Sequence, residues 1–193
     1  MTTTRALAPL AAVLLLSGCI SFGSKPPPTL FNLTATSPAQ AGSGASGTLS
    51  SAIVVLEPQA EQRLDVVRVP VQIDDANVAY IKNAAWVERP ARLLQRLVTE
   101  TIRARGSRLV LDTDPGTGNS TKLEGRLLDM GFDARTSSAV VRFDAVRTAI
   151  GGEISTRRFE SIVPGVTAKP ESIGPALNQA ANDVARQVAD WVG

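Results

Sequence analysis

The chain has no histidine and a single cysteine, Cys19. The absence of histidine removes the usual general base, the Ser-His-Asp triad and most zinc sites. One cysteine cannot form an intramolecular disulfide. The sequence also lacks the G-x-S-x-G, P-loop and G-x-G-x-x-G patterns of hydrolases and nucleotide-binding proteins. We therefore expect a protein that is not an enzyme and that holds no metal or cofactor.

Two chemical alternatives need to be weighed against that expectation. The stretch Asp112-x-Asp114-x-Gly116 resembles the start of a calcium loop. However, Thr117 stands where such a loop needs glycine, and Leu123 stands where it needs glutamate. The stretch is better interpreted as a turn between strands. A periplasmic enzyme that works with carboxylates alone stays open as the second alternative.

The charge balance argues against a nucleic-acid partner. The net charge is +2 for the full chain, and it falls to about +1 when Arg5 is left out. Nucleic-acid binding needs a clustered excess of lysine and arginine, which this sequence lacks. No apolar run after the first twenty residues is long enough to predict a membrane-spanning helix.

The first nineteen residues follow the pattern of a bacterial lipoprotein signal. Arg5 precedes an apolar run at residues 6–16, which is too short to span a bilayer. The run leads into Leu16-Ser17-Gly18-Cys19, which resembles the lipobox. We therefore expect residues 1–18 to be removed and Cys19 to carry the lipid. The alternative is a core cysteine at the end of a buried helix. Ile20 follows Cys19, and lipoproteins kept in the inner membrane typically have aspartate there, so the outer membrane is expected.

The remainder predicts a short tether and one domain. Residues 19–28 contain Pro26, Pro27 and Pro28 in succession, which favour an extended polyproline segment. Residues 29–193 are expected to form a single domain. Within it, the small and polar residues 34–50 predict a flexible loop.

Periodicity in the domain predicts an α+β fold. Apolar residues at three- and four-residue steps predict helices over 90–105, ending before Gly106, and over 172–191, with Ser172 as N-cap. Alternating residues predict long strands at 121–134, 138–150 and 153–163, and shorter strands precede them. Pro70 marks residues 64–73 as an edge strand or irregular chain. The expected fold is a largely antiparallel sheet with two helices packed on one face.

From Phe31 onward, an ordered set of residues spans nearly the whole domain. These are Phe31-Asn32-Leu33, Ile53-Val54-Val55 with Pro58, Leu64-Asp65, Arg68, Tyr80, Trp86, Pro90 and Leu94-Gln95. In this ordered set the chain resembles the auxiliary lipoproteins of ABC-type transport systems, the PqiC-like family.

The resemblance implies a non-catalytic dock at a membrane. Its partners would be an ABC permease and ATPase complex and a periplasmic protein with mammalian-cell-entry domains, which together move lipids between membranes. Association of several copies of the chain stays open. An alternative is an envelope lipoprotein that assists the assembly of lipopolysaccharide or of an outer-membrane protein.

Four residues are candidates for partner contacts, and each also has a structural interpretation. Tyr80 and Trp86 could pack in the core or at a sheet edge. Asp65 and Arg68 are three residues apart and could pair with each other.

Overall fold

The computed structural model describes residues 29–106, 108–116 and 119–193. The predicted signal peptide, Cys19 and the proline tether therefore lie outside the described residues. The described chain forms one mixed β-sheet and two α-helices. The strands are β1 (Thr29–Phe31), β2 (Ile53–Val55), β3 (Gln59–Ala60), β4 (Arg68–Gln72), β5 (Val78–Trp86), β6 (Val110–Leu111), β7 (Thr121–Asp133), β8 (Ser138–Thr148) and β9 (Ile154–Val163). The helices are α1 (Pro90–Arg103) and α2 (Pro170–Val192), and a 3-10 turn covers Leu49–Ser51.

The long strand β7 organises the sheet. One of its edges pairs antiparallel with β8, which in turn pairs antiparallel with β9. The other edge is shared by β2, β3 and β4, which pair with it in parallel one after another. β6 extends the sheet beyond β2, and β5 and β1 extend it beyond β4.

The α+β class and the three-stranded meander β7–β8–β9 are confirmed, whereas the expectation of a largely antiparallel sheet holds only in part. β1, β2, β3 and β4 each make a parallel pairing, so the sheet is mixed. Parallel partners lie far apart in sequence, and a sequence pattern does not show which distant strands become neighbours.

β4 is an interior strand, which corrects the prediction of an edge strand or irregular chain around Pro70. β4 lies between β5 and β7, and its register with β5 shifts between Arg68 and Pro70. A shift of this kind is where a sheet tolerates proline, because one ladder hydrogen bond is already missing there. Gly131 of β7 fits against this point, since a Cβ at that position would lie 2.5 Å from the Pro70 carbonyl oxygen.

Both predicted helices are present, with shifted ends. α1 begins at Pro90, and Gly106 lies just past its end with a φ of +68°. α2 begins at Pro170, with Lys169 rather than Ser172 at the cap, because Pro170 already suits the first helical position. Neither helix combines the length and the apolar character that crossing a bilayer requires, among the residues that the structure describes.

The core lies between the helices and one face of the sheet. The buried face of α2 is rich in small residues, among them Ala180, Ala181 and Ala185, which let the helix approach β8 and β9 closely. Near the N-terminal end of α2, Phe31 packs edge-on against Trp86 with ring centroids 5.7 Å apart. Gly174 makes room for this ring, since a Cβ there would lie 2.9 Å from Phe31.

The chain after β1 runs along both helices, and we call residues 32–39 the strap. Asn182 of α2 is buried, accepts a hydrogen bond from the Thr36 amide and donates one to the Thr34 carbonyl, each at 2.9 Å. Glu100 of α1 accepts a bond from the Ala39 amide at 2.8 Å. The first part of the predicted loop thus has side-chain partners on both helices.

Candidate functional site

The face of the sheet that points away from the helices, here called the open face, has two rows of charged residues across β7, β8 and β9. Residues opposite each other on neighbouring strands share a face. The first row is Arg126, Asp144 and Arg158, and the second is Asp129, Arg142 and Glu160. From β7 to β9, the charges of the first row are positive, negative and positive. Those of the second row are negative, positive and negative.

Two ion pairs join β8 to β9 within these rows. Arg158 makes a bidentate pair with Asp144, at 2.6 Å from Nε and 2.7 Å from the terminal nitrogen. Arg142 forms the second pair, with Glu160. The hydrogen bond from Arg158 holds the pKa of the Asp144 carboxyl below its usual value, and the charges of Arg142 and Arg126 act in the same direction. The rows are therefore paired electrostatically and not simply solvated.

Asp129 lies where the second row meets a bulge in β7. Burial raises the pKa of its carboxyl, while the positive charges of Arg63 and Arg142 oppose this rise. The Arg63 guanidinium lies 3.6 Å from the Asp129 carboxylate and donates to the Leu128 carbonyl at 2.6 Å. Arg63 thus satisfies the carbonyl at the point where the β7–β8 register shifts.

Two of the predicted site residues, Arg68 and Tyr80, come together on the open face. The Arg68 guanidinium lies 3.9 Å from the centre of the Tyr80 ring, a cation–π contact. The Tyr80 hydroxyl donates to the Arg63 carbonyl at 3.4 Å. Across the strands, Arg68 and Leu30 both lie opposite Ala85. We call this surface, formed by Leu30, Arg68 and Tyr80, the β1–β5–β4 patch.

The other two predicted residues lie elsewhere. The expected local pair of Asp65 with Arg68 is wrong, because Asp65 pairs with Arg89 at 3.0 Å while Arg68 turns to the Tyr80 ring. Trp86 is only 2% exposed and packs against Phe31, in line with its structural interpretation.

The family comparison covers most of this architecture. Residues 31–189 match the family model for the ABC-type transport auxiliary lipoprotein component. The chain belongs to this family. A comparison with curated proteins finds no match for the auxiliary lipoprotein.

Solved structures show the same fold at low sequence identity. The crystal structure of a protein described as uncharacterized aligns with a TM-score of 0.68 at 12% identity, over 86% of this chain and 98% of its own. The crystal structure of a Xanthomonas campestris protein of family DUF330 aligns with a TM-score of 0.65 at 17% identity, over 86% of this chain and 92% of its own. Each of these domains is similar to the auxiliary lipoprotein over nearly its whole length.

A polar groove of about 670 Å³ separates the strap from α1. Arg92, Arg96 and Arg103 line it, and each forms an ion pair with a glutamate: Glu57, Glu88 and Glu100, respectively. Thr99 also borders the groove, and its buried hydroxyl has no hydrogen-bond partner among the described residues. The groove is thus neither a strongly charged site nor an apolar one.

The residues around Asp114 form a turn. Asp114 accepts a bond from the Gly116 amide at 2.9 Å and pairs with Lys122 at 2.6 Å. The bond from Lys122 lowers the pKa of the Asp114 carboxyl. No metal-binding group of three or more acidic, histidine or cysteine side chains is found within residues 29–106, 108–116 and 119–193.

Sequence reasoning missed the charge rows of the auxiliary lipoprotein. Neighbouring members of one row are at least 13 residues apart in the chain, as Asp129 and Arg142 show. The available signal was the alternation of charge within single strands, Arg142 with Asp144 and Arg158 with Glu160. Only the register of the hairpins turns these two patterns into rows.

Proposed function

We propose that this auxiliary lipoprotein is a non-catalytic dock, anchored in the outer membrane, for an intermembrane lipid transport system with an ABC permease and ATPase and a mammalian-cell-entry-domain protein. The observation that carries the proposal is the family match over residues 31–189, in a chain where a lipobox cysteine, Cys19, precedes that region. The membrane partner would be the lipid on Cys19.

The outer-membrane location is supported by the residues after the lipidated cysteine. Ile20 and Ser21 follow Cys19, and neither is the aspartate typical of retention in the inner membrane. Sucrose-gradient fractionation should place the native protein with outer-membrane porins. Ile20→Asp should move it to the inner membrane, whereas the matched Ile20→Ala should leave it in place. Sedimentation of the native protein with the inner membrane would contradict this part of the proposal.

The β1–β5–β4 patch is the surface that we assign to the periplasmic partner. Leu30 is 58% exposed and lies next to the end of the predicted tether, on the same face as Arg68. An exposed leucine beside a cation–π pair offers apolar contact area together with an oriented positive charge. A partner protein that extends as far as the membrane anchor would contact this patch.

Site-specific crosslinking tests the patch. A photo-crosslinking residue at Leu30 should capture the mammalian-cell-entry protein in membranes. The control is the same residue at Ile150, which is 45% exposed but lies in the turn between β8 and β9, away from the patch and outside both strands. Capture from Leu30 of a β-barrel assembly protein instead would favour the alternative, an envelope assembly lipoprotein. Equal capture from both positions would reject the patch as the docking surface.

A further inference from the structure

β9 presents a long edge that has no second strand partner in the described part of the chain. Ten residues, Ile154–Val163, pair with β8 without a register shift, and the strand contains no proline. Proteins usually protect such an edge with a bulge, a proline or a covering element, because its free backbone groups can bind another strand. α2 packs beside β9, and the Ser161 hydroxyl donates to Asp183 of α2 at 3.2 Å. Among the residues that the structure describes, one hydrogen bond reaches the outward backbone of this edge, from Gln187 of α2 to the Glu160 carbonyl at 3.1 Å.

The Gln187 contact also shows which backbone groups are free. Since the Glu160 carbonyl points toward Gln187, it points away from β8. In an antiparallel pair every second residue is oriented in this way. The outward set therefore includes the N–H and C=O groups of Thr156, Arg158, Glu160 and Ile162. Their side chains all lie on the open face, in register with those of β8.

The charge pattern of β9 is complementary to itself. When two β9 strands pair antiparallel about a twofold axis at Phe159, Arg158 of each copy lies opposite Glu160 of the other. Each three-residue row then continues into the opposite row of the second copy. The result is six residues of strictly alternating charge, namely Arg126, Asp144, Arg158, and then Glu160, Arg142, Asp129.

Neighbouring registers lose this complementarity. With the axis at Arg158, two arginines face each other, and with the axis at Glu160, two glutamates do, and like charges opposite each other are destabilising. A shift that pairs an odd-numbered with an even-numbered residue places side chains of opposite faces together. Among the registers centred on residues 158 to 160, the Phe159-centred one alone matches charge and face together.

We propose that the auxiliary lipoprotein self-associates through β9, with two copies joined antiparallel about Phe159 into one continuous sheet. Each copy exchanges the hydrogen bond from Gln187 to Glu160 for ladder bonds to the second β9. The charge rows supply the register and the specificity for an identical partner. The inference stands on the geometry of β9 alone and does not depend on the proposed transport role.

A charge swap tests this interface. In Arg158→Glu, residues 158 and 160 are both acidic, and in Glu160→Arg both are basic, so each variant should repel its own copy. Mixed together, the two variants restore opposite charges at every position of the pair. The matched control is Arg186→Glu, which reverses an exposed arginine on α2 outside both rows.

The experiment uses two differently tagged copies of the full-length lipoprotein, co-expressed and solubilised from membranes in detergent. Capture of one tag should bring down the other for the native protein and for Arg186→Glu. Self-capture should fall at least about tenfold for each row variant and return when Arg158→Glu is expressed with Glu160→Arg, since a tenfold change corresponds to about 1.4 kcal/mol of association free energy. Restoration also shows that both variants fold. Self-capture that both row variants leave unchanged, absence of capture in the native protein, or failure of the mixture to restore it would each overturn the proposal.

Discussion

Gly131 is the residue on which the interior position of β4 depends most directly. A Cβ at this position would lie 2.5 Å from the Pro70 carbonyl oxygen and 2.8 Å from the Pro70 ring. Gly131→Ala should therefore push β4 away from β7 and lower the free energy of unfolding by about 1–3 kcal/mol, the usual range for overpacking. Urea unfolding measures this change.

The matched control is Gly44→Ala. A Cβ at Gly44 would have no atom of the described residues within 4 Å, so this substitution should change stability by no more than about 0.5 kcal/mol. Equal effects at the two glycines would show that β4 can move away from β7 at little cost.

The ion pair of Asp144 with Arg158 should make the stability of the fold depend on pH. The hydrogen bond from Arg158 lowers the pKa of the Asp144 carboxyl in the folded protein below its ordinary value of 3.8. A carboxyl with a lowered pKa stabilises the fold above its unfolded pKa, and this contribution is lost as the pH falls through the folded pKa. The stability advantage of the native protein over Asp144→Asn should therefore be present at neutral pH and shrink below pH 3.8.

A double-mutant comparison checks the cause of that pH dependence. Arg158→Gln should remove the same pH-dependent contribution in the native background and add little in the Asp144→Asn background. Urea unfolding at a series of pH values gives all four free energies. Additive effects of the two substitutions would mean that the pair does not cause the pH dependence.

At the scale of the element, α2 joins the sheet to the strap. Leu177 is fully buried on its core-facing side. Leu177→Ala should lower the free energy of unfolding by about 2–4 kcal/mol, because the lost transfer energy and the cavity add. Gln179→Ala, on the exposed side of the same helix, should cost no more than about 0.5 kcal/mol. Similar losses at both positions in urea unfolding would contradict the orientation of α2.

Elements with local signals were predictable from the sequence, and pairings between distant strands were not. The apolar spacing in α1, with Pro90 before it and Gly106 after it, is contained in one continuous segment. So is the turn at Gly151 and Gly152, both at positive φ. The prediction for β4 was wrong because Pro70 usually marks an edge, whereas here the distant Gly131 leaves room for Pro70 inside the sheet.

The candidate site shows the same division. The sequence singled out Arg68 and Tyr80, which the structure brings together, yet the partner it offered for Arg68 was Asp65, three residues away. The structure instead offers Asp65 the guanidinium of Arg89, 24 residues away. Side chains that meet across strands follow the register, which no local pattern specifies.

At the scale of the whole molecule, the start of the fold can be tested by truncation. A protein that begins at Thr29 keeps Phe31 against Trp86 and should unfold cooperatively. One that begins at Gln40 lacks Phe31 and the strap and should be less stable by about 3–5 kcal/mol, the usual cost of removing a buried phenylalanine side chain. Tryptophan emission during urea unfolding measures both, and exposure of Trp86 should shift the emission to longer wavelength.

Equal stability of the two proteins would contradict a structural role for residues 29–39. A protein that begins at Thr29 but carries Asn182→Ala provides the control for the strap. It keeps the Phe31 ring in place and loses the bonds that Asn182 makes to Thr34 and Thr36, together with its bond to the Asn178 carbonyl.

The way the strap is held has a mechanical consequence for the proposed anchor at Cys19. Tension on the anchor acts first on the three residues of β1, then on the Phe31 ring wedged beside Gly174, and then on the amide bonds of Asn182. While these hold, only the predicted tether, residues 19–28, would separate the domain from the proposed anchor. Release of residues 29–50 would lengthen the chain segment between the anchor and the domain by up to about 75 Å, at roughly 3.3–3.6 Å per extended residue. Under the proposed anchoring, release of Phe31 would therefore extend the connection to the membrane from residues 19–28 to residues 19–50.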